Sequence, residues 1–151
     1  MSDFSIVNSV FAVLCADSVF LGYFDLTAAS PPAAKAAKIQ KEYEPDGLAA
    51  NNVPLCCIYP VPGIRNKANS LMFDALFEVA IYSNNSSGAK TSTTKAGTMV
   101  VGERARKLLH QKQLAGATIK VEYQTGFQDY SGVTGIKKYV MRFKVSEELP
   151  E

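Results

Sequence analysis

His110 is the only histidine in the chain, so a hydroxyl or thiol nucleophile elsewhere would have one conventional base to draw on. It stands among Leu108, Leu109, Gln111 and Lys112 near the expected end of a helix. A surface histidine is ordinary there, because its charge interacts favourably with the helix dipole. Cys15, Cys56 and Cys57 are odd in number and two of them are adjacent, which fits neither a disulfide framework nor a CxxC metal site. On a strand, neighbouring side chains point to opposite faces, so Cys56 and Cys57 cannot converge on one ion. Three reduced thiols, a reducing compartment in bacterial or host cytosol, and no metal or cofactor are expected. Asp74 and Glu78 share one face of a strand, but four residues of strand place them about 13 Å apart. Glycosidase carboxylates work at roughly 5 to 9.5 Å. The pair is expected instead to face the basic side chains Lys138, Arg142 and Lys144, within one sheet or across a subunit contact.

A strand followed by a loop with Lys90 and Thr91 and then a helix is also the setting of a phosphate-cradling loop. Such a loop needs Gly directly before the Lys and another five residues earlier, where this chain has Ala89 and Asn84. A solvated loop capping a helix is the better reading. Arg104, Arg106, Lys107 and Lys112 form a basic helix face without the interleaved aromatics of a single-strand binder. The chain is therefore expected not to be an enzyme, and strong non-specific DNA binding is not expected.

The whole composition agrees with a folded, self-contained chain. Its 151 residues suit one domain, expected to span 1–151 with an insertion at 30–52. The 47% hydrophobic and 20% charged content is that of a globular protein. The net charge of +2 arises from 16 basic and 14 acidic side chains dispersed along the sequence, with no run that would make a nucleic-acid arm. No apolar run nears the roughly 20 residues of a bilayer crossing. The N-terminal apolar stretch opens with Asp3, so a soluble, unprocessed chain without membrane contact is expected.

Several elements must position these residues. Ile6, Val7, Val10, Phe11 and Leu14 recur at helical spacing over 5–14. Tyr23, Phe24 and Leu26 read as a short edge strand. Residues 30–52, rich in Ala, Lys and Pro, read as an excursion with a weakly packed helix over 33–43. A short edge strand at 55–61 follows, bounded by prolines. The strongest strand, 71–83, puts Leu71, Phe73, Ala75, Phe77, Val79 and Ile81 on one face and Asp74, Glu78 and Tyr82 on the other. Beyond a polar loop, Ser92 to Thr94 begin the longest helix, which Gly116 helps to stop. Ile119, Val121 and Tyr123 alternate with polar residues, and Tyr139, Met141, Phe143 and Val145 face inward on the last strand. Between those strands, 125–135 reads as a long Gly-rich loop carrying Phe127 and Tyr130 as exposed rings. The fold class is α+β: an antiparallel or mixed sheet of about four strands with two main helices packed on one face.

This arrangement resembles the tail terminator, or tail completion, proteins of long-tailed bacteriophages. The resemblance rests on the amphipathic helix ending in Ala16-Asp17-Ser18, on the extended Val53-Pro54-Leu55-Cys56-Cys57-Ile58-Tyr59, and on Phe-Asp-Ala-Leu-Phe-Glu-Val-Ala-Ile-Tyr-Ser from Phe73. The second helix and the closing 135–145 segment complete it; the insertion departs from the more compact pattern. The resemblance implies a ring, usually of six copies, in the virion at the head–tail junction, assembled in the host bacterial cytoplasm. It also implies partners: the tail tube protein, a neck or head-completion protein, and genomic DNA as a sequence-independent passenger. It brings no catalytic residues. The candidate assembly contacts are Phe127, Tyr130, Asp74, Glu78, Arg142 and Lys144. A head-completion or neck adaptor and a small non-viral ligand-binding module are the alternatives.

Overall fold

The computed structural model describes residues 3–65, 72–86, 95–114 and 120–148. The elements run α1 (Asp3–Cys15), α2 (Ser18–Tyr23), α3 (Pro32–Lys38), β1 (Ile39–Gln40), β2 (Leu55–Arg65), β3 (Met72–Ser83), α4 (Thr98–Leu109), β4 (Glu122–Tyr130) and β5 (Lys137–Glu148). The five strands stand in the order β1-β2-β3-β5-β4. β1 is parallel to β2 and the other pairings are antiparallel, so the sheet is mixed and has one strand more than expected. The fold is α+β, with α1 lying over β2 and α4 over β3 and β5 on one face of the sheet.

That face holds the main core. Phe77, Val79 and Ile81 of β3 meet Met141, Phe143 and Val145 of β5 under the apolar stripes of α1 and α4. Phe77 and Phe143 stack with ring centroids 5.2 Å apart. Alternation sends the other side chains to the opposite face, where Leu55, Cys57, Tyr59, Ala80, Tyr82 and Val140 form a smaller cluster with Val53 and Ile136. Cys56 lies in the first core and Cys57 in the second, as strand geometry requires. Burial pushes both thiols up, that of Cys57 to about 12. The cysteines are free thiols.

Four expectations are corrected, the first being the short edge strand at 55–61, which instead runs over Leu55–Arg65 and lies between β1 and β3. Residues 23–26 form no strand: Ser18–Tyr23 is helical, because the Asp17 carboxylate accepts the Phe20 amide at 2.8 Å and so caps α2. Phe20, Leu21 and Phe24 then fill the core. The second helix is not the longest, since α4 has 12 residues and α1 has 13. It stops at His110, where Gln111 turns to φ 66° and its amide bonds the Val121 carbonyl at 2.7 Å. α4 begins at Thr98; the residues expected to start and stop it, Ser92 to Thr94 and Gly116, lie outside the described residues, as does Ile119. The segment 125–135 is not a long loop either, for β4 continues through Tyr130 and only 131–136 turn.

The 30–52 segment also gains structure. Its helix ends at Lys38, and Ile39 and Gln40 add to β2 opposite Cys56 and Cys57. Gln40 is buried, and its amide is fully used: Nε2 donates to the Ala37 and Asp46 carbonyls and Oε1 accepts the Asp46 amide. Lys38 Nζ donates to both the carbonyl and side chain of Asn52. These bonds hold the segment beside the second face of β2, where Tyr43 meets Tyr59 edge-on at 4.9 Å.

Candidate assembly surface

Strand register decides where the expected contact residues stand. Glu78 and Arg142 are direct cross-strand partners. Arg142 donates from Nε at 3.0 Å and Nη2 lies 2.9 Å away, both to the same Glu78 oxygen. Glu78 also takes the Tyr59 hydroxyl; burial, and then the carboxylate's charge, push that phenol up. Lys144 pairs with Glu122 at 3.4 Å and Lys138 with Asp129 at 3.7 Å. Of the pairings expected for Asp74 and Glu78, Glu78 with Arg142 forms within one sheet, whereas Lys144 and Lys138 take Glu122 and Asp129 instead. In the ladder Asp74 pairs with Ile64 and Ser146; its side chain lies outside the described residues.

β4 is the sheet's edge, so one row of its backbone groups faces away from the ladder. A bulge between Tyr123 and Thr125 shifts its register. Phe127 stands opposite Val140 and Tyr130 opposite Lys137, and three residues of strand turn their rings to opposite faces. They remain 43% and 75% exposed, so sequence reasoning found the rings while mistaking the backbone that carries them. Val133, in the turn, is 38% exposed beside them. The turn is firmly built: Ser131 Oγ accepts the Val133 amide at 3.1 Å and donates to the Ile136 carbonyl at 2.8 Å.

On the helix side, Tyr139 passes between Gly102 of α4 and Gly126 of β4. A Cβ on Gly102 would lie 2.9 Å from the Tyr139 ring, and one on Gly126 would meet the Tyr139 and Tyr123 hydroxyls. Burial and the hydrogen bond with Tyr123 raise the Tyr139 phenol. Arg106 lies over the Tyr123 ring at 4.2 Å. His110 is exposed, and its Nδ1 accepts the Tyr123 amide at 3.1 Å. Among the described residues no group of His, Cys, Asp and Glu could hold a metal ion, and no helix is long and apolar enough to cross a membrane.

At the other edge of the sheet lies a 690 Å³ groove between α1, α3 and residues 39–52. Phe11, Ala36, Ala37 and Ile39 line it, with Glu42 and Asp46 beside them. Sequence reasoning missed this feature, because it exists only where β1 joins the sheet and brings α3 against α1.

The architecture has a counterpart. A chain in the virion of a native gene transfer agent particle superposes with a TM-score of 0.59 over 95% of this chain and 95% of its own, at 13% identity. The likeness is one of fold and covers nearly the whole of both chains. No family model and no curated protein sequence matches the chain.

Proposed function

We propose that this protein is a structural virion component that forms a ring at a phage head–tail junction, ends tail-tube growth and joins the tail to the neck. The observation that carries the proposal is the end-to-end fold match to a chain of a gene transfer agent virion. The resemblance read from the sequence supports the finer assignment. Within it, 1–151 acts as one domain, copies join in a ring of six, and a tail tube protein and a neck or head-completion protein bind the two sides. No catalytic step belongs to this role. Phe127 and Tyr130, exposed on the edge strand and its tip, are the contact residues the geometry favours, since aromatic anchors dominate interface energies. Polymerisation of purified tail tube protein tests the role. Tubes grown with this protein should be capped and should stop lengthening; tubes of unchanged length would refute it.

A second reading, a small ligand-binding module, is favoured by the groove, whose volume lies in the usual range for small-molecule sites. A small molecule retained by the purified protein in native mass spectrometry would support it against the ring.

A further inference from the structure

We infer that the β4–β5 hairpin tip of one copy docks in the α1–α3 groove of a second copy, and that this contact, repeated head to tail, closes the ring. The inference rests on the ring reading above and names the two surfaces that meet.

The tip has the form of a knob. Tyr130 and Val133 expose apolar area at the tip, with Phe127 three residues back on the other face of β4. The Ser131 hydrogen bonds fix the turn, and Asp129 Oδ1 accepts the Tyr130 amide at 2.8 Å. A preorganised knob loses little conformational freedom on binding. The groove has the form of its receptor. Its wall is the apolar surface of Phe11, Ala36, Ala37 and Ile39, and its 690 Å³ accommodates an aromatic side chain with its neighbours. The satisfied Gln40 amide braces it, and Lys41 is held by Asn8 at 2.8 Å and by the Phe11 ring.

Charge agrees with shape. Lys137, at the base of the knob, is exposed, and Glu42 and Asp46 beside the groove are exposed acids. None of the three has an ion-pair partner among the described residues. Position agrees as well. Lys137 is level with Ser83, Tyr82 with Leu55, and Cys56 with Ile39, so knob and groove lie at the same end of the strands and at opposite edges of the sheet. Four strand spacings, about 19 Å, separate those edges, and a copy cannot fill its own groove. A contact between two different surfaces at one level carries each neighbour sideways with little rise, which favours a closed ring over an open helix.

Native mass spectrometry and light scattering across a concentration series decide the matter. Tyr130→Ser removes the anchor and Ala37→Trp, at an exposed position, fills the groove. Each should raise the concentration needed for ring formation at least tenfold while leaving the circular dichroism melt in place. Mixed one to one, the two variants retain one good contact per pair and should stop at dimers. The exposed pair Lys137→Glu and Glu42→Lys gives a second test that does not disturb packing: each alone weakens assembly, and the two combined in one chain restore it. Wild-type rings with all these variants assembling at wild-type concentration would overturn this inference and leave the ring standing. A wild-type protein that remains monomeric even with tail tubes present would overturn both.

Discussion

Truncating Phe77 to alanine probes the packing on which the whole arrangement depends. Phe77 is fully buried on the helix-covered face of β3, stacked on Phe143, which is itself met edge-on by Tyr123 at 5.5 Å. Phe77→Ala removes the ring and leaves a cavity walled by both strands and helices, a change that costs about 3 to 5 kcal/mol. The stacked pair accounts for about 0.5 to 1.5 kcal/mol of this beyond simple burial. With a urea slope of about 2 kcal/mol per molar for a chain of this size, the midpoint should fall by about 1.5 to 2.5 M. The chain has no tryptophan, so circular dichroism at 222 nm is the suitable signal. A loss below about 1 kcal/mol, at unchanged slope, would mean that β3 does not bury this face.

The Asp17 carboxylate caps α2 and receives Arg104 at 2.7 and 2.9 Å, and these hydrogen bonds hold its pKa below the ordinary value. A depressed folded pKa gives stability that is full above the unfolded value, about 4, and is lost as pH falls through the folded one. The stability gap between wild type and Asp17→Asn should therefore close as pH drops below about 4; a gap constant from pH 7 to 3 would refute the ionic contribution. Asp17→Ala, which also removes the cap, should lose about 1 kcal/mol more. Gly126→Ala drives a methyl group at the Tyr123 and Tyr139 hydroxyls and should destabilise by about 1 to 3 kcal/mol, with Tyr139→Phe recovering part of the loss in a double-mutant cycle. Native Cys56 and Cys57 should resist a thiol reagent at pH 8 and react once urea unfolds the chain; rapid modification of the folded protein would contradict their burial.

Much of the fold was legible because burial follows periodicity. The alternation in β3 and β5 assigned Phe77, Val79, Ile81, Met141 and Phe143 to one core, and the same alternation in β2 separated Cys56 from Cys57. The helical stripe of α1 was equally plain. What failed was decided by partners distant in sequence. Tyr23, Phe24 and Leu26 suit a short strand by pattern alone. The helix follows from the Asp17 cap, which Arg104 secures from 87 residues away. Residues 125–130 show no apolar alternation, because β4 is an edge strand that must leave room at Gly126 for Tyr139. Pairing with β5 makes it a strand. Two residues of β1 are too few for any local signal, yet they create the groove. The site was half visible for the same reason: exposed Phe127 and Tyr130 can be recognised one at a time, whereas a groove between α1 and α3 requires the tertiary structure.

Negative-stain images of the purified protein, alone and mixed with tail tubes, test the central claim most directly. The account predicts six-fold rings that sit as a single cap on tube ends. Particles that stay monomeric and leave the tube ends bare would contradict it.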